Sequence, residues 1–280
     1  MNIIEAINGA SKILKKNYIN SAKLDSEILL CKVLKQDIKY IILNSNKELK
    51  NEHLIKFNNL IAKRSLGQPI AYLLGKKDFW KYEFHVSEET LIPRPDTEIL
   101  IDYILKISRH KSKLKILDIG IGSGCILLSI LKEKKDFYGT GIDISSKCIE
   151  ISKINASKLD LINRVKFFKS NVDNFNYGKY DLIISNPPYI KKLDLKYLDR
   201  DVADFEPKLA LDGGLDGISK IRKVVDKSSS LVKKNGKLVL EIGFEQKYKV
   251  KKLLNDKGFY INKVLKDYAN NDRCIVSTKI

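Results

Sequence analysis

A short loop of unusual composition follows one of the apolar segments in the second half of the chain. The run Tyr180–Ser185 leads directly into Asn186-Pro187-Pro188-Tyr189. Consecutive prolines fix the backbone and donate no N–H, so neighbouring carbonyl groups stay available as acceptors. The side-chain oxygen of Asn186 and the carbonyl of Pro187 can accept the two hydrogens of a planar NH2 group, against which the Tyr189 ring packs. We therefore expect these four residues to be the catalytic and substrate-binding loop; the alternative is a plain proline-rich strand exit.

A glycine-rich turn forms the second cluster, at the end of the segment 115–119. Asp118 is followed by residues 120–124, which read Gly-Ile-Gly-Ser-Gly, and glycines at such a turn let a ligand approach the backbone closely. The nicotinamide fingerprint needs glycine at position 125, where Cys125 stands, and no NTP-type phosphate loop occurs. The remaining pattern resembles the first motif of S-adenosylmethionine-dependent methyltransferases.

An acidic residue, Asp143, ends the next apolar segment, 137–142. A carboxylate at the end of the second strand can accept hydrogen bonds from both hydroxyls of a ribose. Taken alone, Asp143 could equally cap the helix that follows it. Together with the glycine turn, its position favours ribose binding.

The elements that must position these residues alternate between strands and helices. Seven short apolar segments predict strands, at 115–119, 137–142, 165–168, 180–185, 237–242, 260–265 and 274–278. Alternation of this kind predicts an α/β fold with a mainly parallel sheet and helices on both faces, which binds ligands beyond the carboxyl ends of its strands. Residues 1–64 carry apolar residues at helical spacing, and alternating aromatic residues over 78–86 predict a hairpin.

Composition excludes several classes of protein. The 280 residues are 44% apolar, and no stretch approaches the roughly 18 apolar residues of a membrane helix, so we expect a soluble, cytoplasmic chain. The four cysteines form no C-x-x-C pair and the three histidines do not cluster, which predicts reduced thiols and no metal site. The net charge of +18 is spread along the chain and fits either an acidic partner or a compositional bias.

The motifs taken together resemble those of the release-factor glutamine methyltransferases, which methylate the glutamine amide in the Gly-Gly-Gln loop of peptide-chain release factors. Further stretches that carry the resemblance are Gly-Gln-Pro-Ile-Ala-Tyr at 67–72, Phe-Trp at 79–80, Leu-Ile-Pro-Arg-Pro-Asp-Thr-Glu at 91–98, Phe-Glu-Pro at 205–207, Glu-Ile-Gly at 241–243 and Asp-Tyr at 267–268. The residues at 94–98 and the Asn-Pro-Pro-Tyr loop are highly specific as a pair.

The resemblance implies a Rossmann-like, seven-stranded methyltransferase domain whose last strand is antiparallel, preceded by a small helical-bundle domain and a β-hairpin linker. It places a helical substrate-recognition domain at 1–76, the linker at 77–93 and the methyltransferase domain at 94–280. It implies S-adenosylmethionine as methyl donor, S-adenosylhomocysteine as product, no metal, and class 1 release factors as partners, with an effect on translation termination. We expect a monomer without a stable nucleic-acid complex and without membrane association.

The resemblance also implies which residues bind the cofactor. They are Arg94, Pro95, Asp96, Thr97, Glu98, Asp118, Gly120, Ile121, Gly122, Ser123, Gly124, Asp143, Asn171, Val172 and Asn186. The stretch Ser170-Asn171-Val172 after the third strand departs from the family pattern, because many relatives carry an acid there that contacts the adenine amino group. Asn171 accepts a hydrogen bond without charge, and Asp173 is the alternative contact.

The chemistry implied is demanding, because an amide nitrogen delocalises its lone pair into the carbonyl and is a poor nucleophile. The activated methyl group therefore has to come from the cofactor, while the protein aligns the reacting atoms.

Two other interpretations stay open. The same loop would suit an adenine-amino methyltransferase acting on RNA or DNA, and the basic surface would suit a non-catalytic nucleic-acid-binding protein.

Overall fold

The computed structural model describes residues 1–280, which divide into two compact units. The first unit comprises Met1–Lys76 together with Asp199–Phe205, and the second comprises Lys77–Leu198 and Glu206–Ile280. The membership of residues 199–205 in the first unit was not expected from the sequence. No helix is both long enough and apolar enough to cross a membrane, and all four cysteines are free.

The first unit is built from helices. They are α1 (Ile3–Lys16), α2 (Ala22–Leu34), α3 (Ile38–Leu43), α4 (Asn51–Ser65), α5 (Ile70–Leu74) and α9 (Arg200–Phe205). Asn2 and Glu5 form a capping box that starts α1, in which each side chain accepts a hydrogen bond from the backbone N–H of the other. The spacing of the buried residues Ile3, Ile7 and Leu14 gives α1 one apolar face, as the sequence predicted.

A buried ion pair links two of these helices. Arg64 of α4 donates from Nε to the carboxylate of Asp25 on α2 at 2.7 Å, and both residues are buried. The guanidinium also donates to the carbonyl groups of Gly67 and Gln68, at 3.3 and 3.1 Å. The ring of Phe205 lies beside Gly67, which brings α9 next to the same turn.

The second unit begins with a hairpin and continues as an α/β sheet. The hairpin strands are β1 (Lys76–Phe79) and β2 (Tyr82–His85). The strands of the sheet are β3 (Lys115–Ile119), β4 (Tyr138–Asp143), β5 (Val165–Lys169), β6 (Tyr180–Ser185), β7 (Val232–Glu241), β8 (Phe259–Lys266) and β9 (Asp272–Lys279). The helices are α6 (Glu98–Ile107), α7 (Cys125–Glu133), α8 (Ser146–Lys158), α10 (Lys208–Leu211), α11 (Ser219–Leu231) and α12 (Lys247–Asp256).

The order of strands in the sheet is β5-β4-β3-β6-β7-β9-β8. The first five strands in this order pair in parallel, and β9 runs antiparallel to both of its neighbours. The expected seven-stranded fold with an antiparallel last strand is confirmed. The chain reverses its direction of travel across the sheet between β3 and β6, and ligands bind at such switch points. The glycine turn after β3 and the proline loop after β6 therefore lie next to each other, at the carboxyl ends of two neighbouring parallel strands.

Side chains from each central strand enter two separate apolar layers. Ile116 and Ile184 belong to the cluster on one face, and their neighbours Leu117 and Ile183 belong to the cluster on the other. The predicted strand at 237–242 was too short, because β7 begins at Val232. The register of β7 is irregular between its pairings of Val232 and Lys237, and the intervening residues are too polar to resemble a strand.

Candidate active site

The glycine turn after β3 has the backbone conformation that its composition indicates. Gly120, Gly122 and Gly124 all have positive φ angles, of 77°, 56° and 82°. A side chain at Gly124 would lie 2.9 Å from Leu128 of α7, so this position also needs glycine for packing. Around Gly122, by contrast, the space that a Cβ would enter is empty, and the turn leaves its backbone accessible.

Two side chains of α8 hold the glycine turn in place. Ser152 donates to the carbonyl of Gly122 at 2.8 Å, and the buried amide of Asn155 donates to the carbonyl of Ser123 at 2.8 Å. Asn155 also exchanges two hydrogen bonds with the backbone of His85 in β2, of 2.7 and 2.9 Å. The hairpin and the turn are therefore fixed to the same helix.

Asp143 at the end of β4 faces this turn. One carboxylate oxygen accepts the backbone N–H of Gly122 at 3.0 Å, and the other accepts that of Ser145 at 2.9 Å. Burial raises the pKa of Asp143, and these two backbone donors act in the opposite direction. Since a carboxylate has about four acceptor positions, both oxygens can still accept hydroxyl groups.

Asp118 lies one strand away, near the end of β3. The residue is 1% exposed, and neither carboxyl oxygen has a hydrogen-bond partner. Burial, followed by the charge of Asp143, raises the pKa of Asp118 to about 8. The backbone N–H of Leu127 acts in the opposite direction without forming a full hydrogen bond. A buried carboxyl without a partner would be stabilised by a positively charged ligand nearby.

The proline loop after β6 presents free acceptors. Ser185, buried at the end of the strand, donates to the carbonyl of Ile119 at 2.7 Å and fixes the start of the loop. The Nδ2 atom of Asn186 donates to Thr97 at 3.4 Å, and no group of the chain donates to its Oδ1. No backbone hydrogen bond reaches the carbonyl of Pro187. The two acceptors expected from the sequence are thus available.

Tyr189, the last residue of the loop, makes its hydrogen bonds with residues of β7 and β9. Its hydroxyl donates to Glu241 at 3.2 Å and accepts from Arg273 at 3.4 Å. Its ring packs against the apolar layer that contains Leu240 and Ile242. Burial, followed by the charge of Glu241, raises the pKa of Tyr189.

The segment around Pro95 makes two kinds of contact: Arg94 and Asp96 lie in ion pairs, and Glu98 accepts a backbone hydrogen bond. Arg94 pairs with the buried Glu206, which also accepts the backbone N–H of Ile92 at 3.2 Å. Asp96 lies 3.8 Å from Arg273. The carboxylate of Glu98 accepts the backbone N–H of Trp80 in the hairpin turn at 2.7 Å, which is a structural contact.

Asn171 and Asp173, the two residues expected to contact the adenine, follow β5. Asn171 accepts the backbone N–H of Asp173 at 3.2 Å, as the cap of a short 3-10 helix. Asp173 itself pairs with Lys223 of α11. Of these two residues, Asn171 lines the cavity described in the next paragraph and Asp173 does not.

Residues of the glycine turn and of the proline loop, together with Asp143 and Asn171, line a cavity of about 310 Å³. The expected site residues that line it are Arg94, Thr97, Gly120, Ile121, Gly122, Ser123, Asp143, Asn171, Val172, Asn186, Pro187 and Pro188. Other expected site residues do not line it: Pro95, Asp96, Glu98, Asp118, Gly124 and Tyr189. The volume lies at the lower end of the range for small-molecule sites, about 300–1,000 Å³.

Comparison with known proteins accounts for both parts of the chain. Residues 5–75 match a family model described as the PrmC N-terminal domain, and residues 95–266 match the methyltransferase small domain. A release factor glutamine methyltransferase of Buchnera aphidicola subsp. Schizaphis graminum is 40% identical, covering 95% of this chain and 96% of the relative. The chain belongs to the release factor glutamine methyltransferase family. It is accordingly an enzyme, a methyltransferase.

Two further comparisons agree with this membership. A release factor glutamine methyltransferase of Clostridium acetobutylicum is 36% identical, covering 100% of this chain and 99% of the relative. A solved methyltransferase structure from Pyrococcus furiosus matches with a TM-score of 0.52 at 16% identity, over 70% of this chain and 88% of that one. The second similarity concerns the fold alone.

Several residues that line the cavity of this chain were not predicted from its sequence. Glu89, Ser145 and Cys148 line the cavity beside Asp143, and Lys220 and Lys223 line it from α11. Glu206 and Glu241 lie in stretches that carried the family resemblance, but no role had been assigned to them. Their pairing with the segment at 94–97 offers no local signal, because the partners lie 112 and 144 residues away in sequence.

Proposed function

We propose that the chain transfers a methyl group from S-adenosylmethionine to the side-chain amide nitrogen of the glutamine in the Gly-Gly-Gln motif of class 1 release factors. The observation that carries the proposal is the pair of free acceptors on Asn186 and Pro187, at the edge of a cavity that also contains the glycine turn. The proposal includes a monomeric, cytoplasmic enzyme that modulates translation termination.

The residues at the cavity fit a cationic nucleoside. Asp143 keeps acceptor positions for ribose hydroxyls, and the accessible turn at Gly122 lets the ligand approach the backbone. Asn171 and Val172 would hold the adenine. The carboxylate of Asp143, which lines the cavity, also places negative charge near this cationic donor. When bound, S-adenosylmethionine supplies a methyl group that its sulfonium has already activated.

The loop after β6 binds and orients the amide group that receives the methyl group. The amide nitrogen gains positive charge during the transfer, and acceptors aimed at its two hydrogens stabilise that charge. Asn186 and Pro187 supply these acceptors from a rigid backbone, so little reorganisation is needed at the moment of reaction. Once alkylated, the nitrogen is acidic enough to lose a proton to water.

A macromolecular substrate is supported by the surroundings of the cavity. Leu209, which lines it, is 72% exposed, and an apolar side chain at the mouth of a polar site offers a contact to a protein loop. Lys220, also at the cavity, adds positive charge for an acidic partner.

Methyl transfer to defined acceptors tests the proposal. The purified chain is incubated with methyl-labelled S-adenosylmethionine and a release factor, the same factor with its loop glutamine changed to alanine, or bulk RNA and DNA. We expect label in the unchanged factor alone. Label in nucleic acid, or equal label in both factors, would overturn the proposal. In the same assay, Asn186→Ala should transfer the label more slowly than the wild type. Asn163→Ala, a change at an exposed position away from the cavity, is the control for this variant.

A further inference from the structure

A chain of hydrogen bonds runs from the buried end of β7 to Asn186. Glu241 is the last residue of β7 and is 2% exposed. Leu240 lies opposite Ser185 in the parallel pair of β6 and β7, so Glu241 continues alongside Asn186. The Oε2 atom of Glu241 accepts the hydroxyl of Thr97 at 2.7 Å, and Oγ1 of Thr97 lies 3.4 Å from Nδ2 of Asn186.

The number of available hydrogens fixes the direction of these bonds. A carboxylate only accepts and a hydroxyl carries one hydrogen, so Thr97 donates to Glu241 and offers only lone pairs to Asn186. Asn186 must therefore turn its NH2 group toward Thr97. This leaves Oδ1 as the polar atom of Asn186 without a partner in the chain.

We propose that Glu241 and Thr97 are positioning residues that set the orientation of the Asn186 carboxamide, so that its oxygen faces the amide nitrogen of the substrate glutamine. The inference rests on the proposed function, because both concern the same substrate nitrogen. In the flipped orientation, the NH2 group of Asn186 would face the NH2 group of the substrate. Two donors cannot pair, and their like partial charges would oppose the positive charge that grows on the nitrogen.

The orientation requires Glu241 to be ionised. A protonated carboxyl can donate to Thr97, which frees the Thr97 hydrogen for Oδ1 of Asn186 and removes the constraint. Burial raises the pKa of Glu241 to about 7, while the contacts with Thr97, Arg273 and Tyr189 act in the opposite direction. The constraint should therefore be lost when the pH falls below neutral.

Other titratable and charged groups face Glu241 from each neighbouring element. They are Asp96 before α6, Cys125 at the start of α7, Tyr189 after β6, and Arg273 and Cys274 in β9. Arg273 favours the carboxylate of Glu241, and Asp96 disfavours it. Burial raises the pKa of both thiols, to about 12 for Cys125, and both stay protonated near neutral pH.

Kinetics of the Thr97 variants test the positioning role. Thr97→Val keeps the shape of the side chain and removes the hydroxyl, and we expect kcat with the release factor to fall about 10–100-fold, as for loss of an orienting group. Thr97→Ser returns the hydroxyl and should recover most of the lost turnover. The wild-type kcat should rise with pH around 7, and this dependence should be absent in Thr97→Val. Ser277→Ala, which removes a buried hydroxyl from β9, is the matched control.

A second measurement needs no methyl acceptor. In the complex with S-adenosylhomocysteine, the Asn186 side-chain amide is followed by 1H–15N spectroscopy, and its signals are identified by their loss in Asn186→Ala. We expect these signals to titrate near pH 7 in the wild type and not in Thr97→Val, with both proteins saturated with S-adenosylhomocysteine. This result separates the inference from the proposed function, because it does not depend on the substrate.

Two outcomes would overturn the positioning role. One is wild-type kcat in Thr97→Val, which would show that the hydroxyl does not affect the reacting groups. The other is an Asn186 amide that titrates identically in the wild type and in Thr97→Val, which would show that Glu241 does not act through Thr97. If the wild type fails to methylate any release factor but the amide titrates as expected, the proposed function is wrong. The chain of hydrogen bonds from Glu241 through Thr97 to Asn186 is then still supported.

Discussion

The backbone N–H of Gly122 donates to the carboxylate of Asp143 at 3.0 Å, which ties the glycine turn after β3 to the acid at the end of β4. The second oxygen of Asp143 takes the N–H of Ser145, at the start of α8. The acid therefore organises the turn as well as offering acceptors to a ligand. This dual role determines how its variants should be compared.

Replacement of Asp143 should weaken cofactor binding. Asp143→Ala removes the proposed ribose acceptors, and we expect a loss of about 1.5–3 kcal/mol, the range for hydrogen bonds to a charged group. Asp143→Asn retains one acceptor oxygen for the backbone and separates the role in the turn from the role toward the ligand. Calorimetry with S-adenosylhomocysteine measures both, and unchanged affinity in Asp143→Ala would remove the ribose assignment.

Replacement of Asn186 should affect turnover more than binding. Asn186→Ala removes one acceptor from the nitrogen that gains charge, and we expect kcat to fall roughly 10²–10³-fold with little change in cofactor affinity. Single-turnover methylation of a release factor measures the chemical step directly. A near-normal rate would rule out the assigned role, and Asn163→Ala should behave like the wild type.

The amide of Asn155 should matter for stability. Asn155→Ala removes the hydrogen bonds of the side chain with the backbone of His85 and with the carbonyl of Ser123, at a cost of about 1–3 kcal/mol in the free energy of unfolding. Urea denaturation measures the change. Asn255→Ala, at an exposed position of α12, should stay within about 0.5 kcal/mol of the wild type. Equal stability of the two variants would contradict the bridging role.

The buried pair in the first unit should show strong coupling. Asp25→Leu leaves the Arg64 guanidinium buried without its carboxylate and should destabilise this unit by about 3–5 kcal/mol. The double variant with Arg64→Met should recover much of this loss, since no uncompensated charge remains. Amide hydrogen exchange in α2 and α4 reports on this unit specifically, and additive effects of the two changes would speak against coupling.

The raised pKa of Asp118 predicts a pH-dependent stability. Between its ordinary pKa of 3.8 and its folded value of about 8, the folded chain binds a proton that the unfolded chain has released. The free energy of unfolding contributed by this group therefore falls as the pH rises through that window. Denaturation at a series of pH values should show this decline in the wild type and a weaker one in Asp118→Asn. Parallel curves for the two proteins would refute the assignment.

The sequence predicted the parts of the site that consist of local signals. The glycine turn, Asp143 and the proline loop each follow an apolar segment directly, and parallel strands bring such ends to one edge of a sheet. The fold class followed from the same alternation. Tyr189 differs in that its hydroxyl bonds to Glu241, so its expected contact with the substrate amide stays a prediction.

The long-range partners could not be predicted in this way. Glu206 and Glu241 reach the segment at 94–97 only because the folded chain brings strand ends and loops together, and nothing near them in sequence identifies the partner. The early start of β7 was missed for a different reason. Residues 233–236 lack apolar alternation, so nothing in their sequence indicates a strand.

The inclusion of residues 199–205 in the first unit has a practical consequence for dissecting the molecule. The polypeptide crosses the boundary between the units three times, after residues 76, 198 and 205. A truncation at residue 76 would therefore yield an N-terminal fragment that lacks one of its helices, and the complementary fragment would carry that helix without its packing partners. Separate expression of the two halves calls for a transplanted or deleted α9 rather than a single cut.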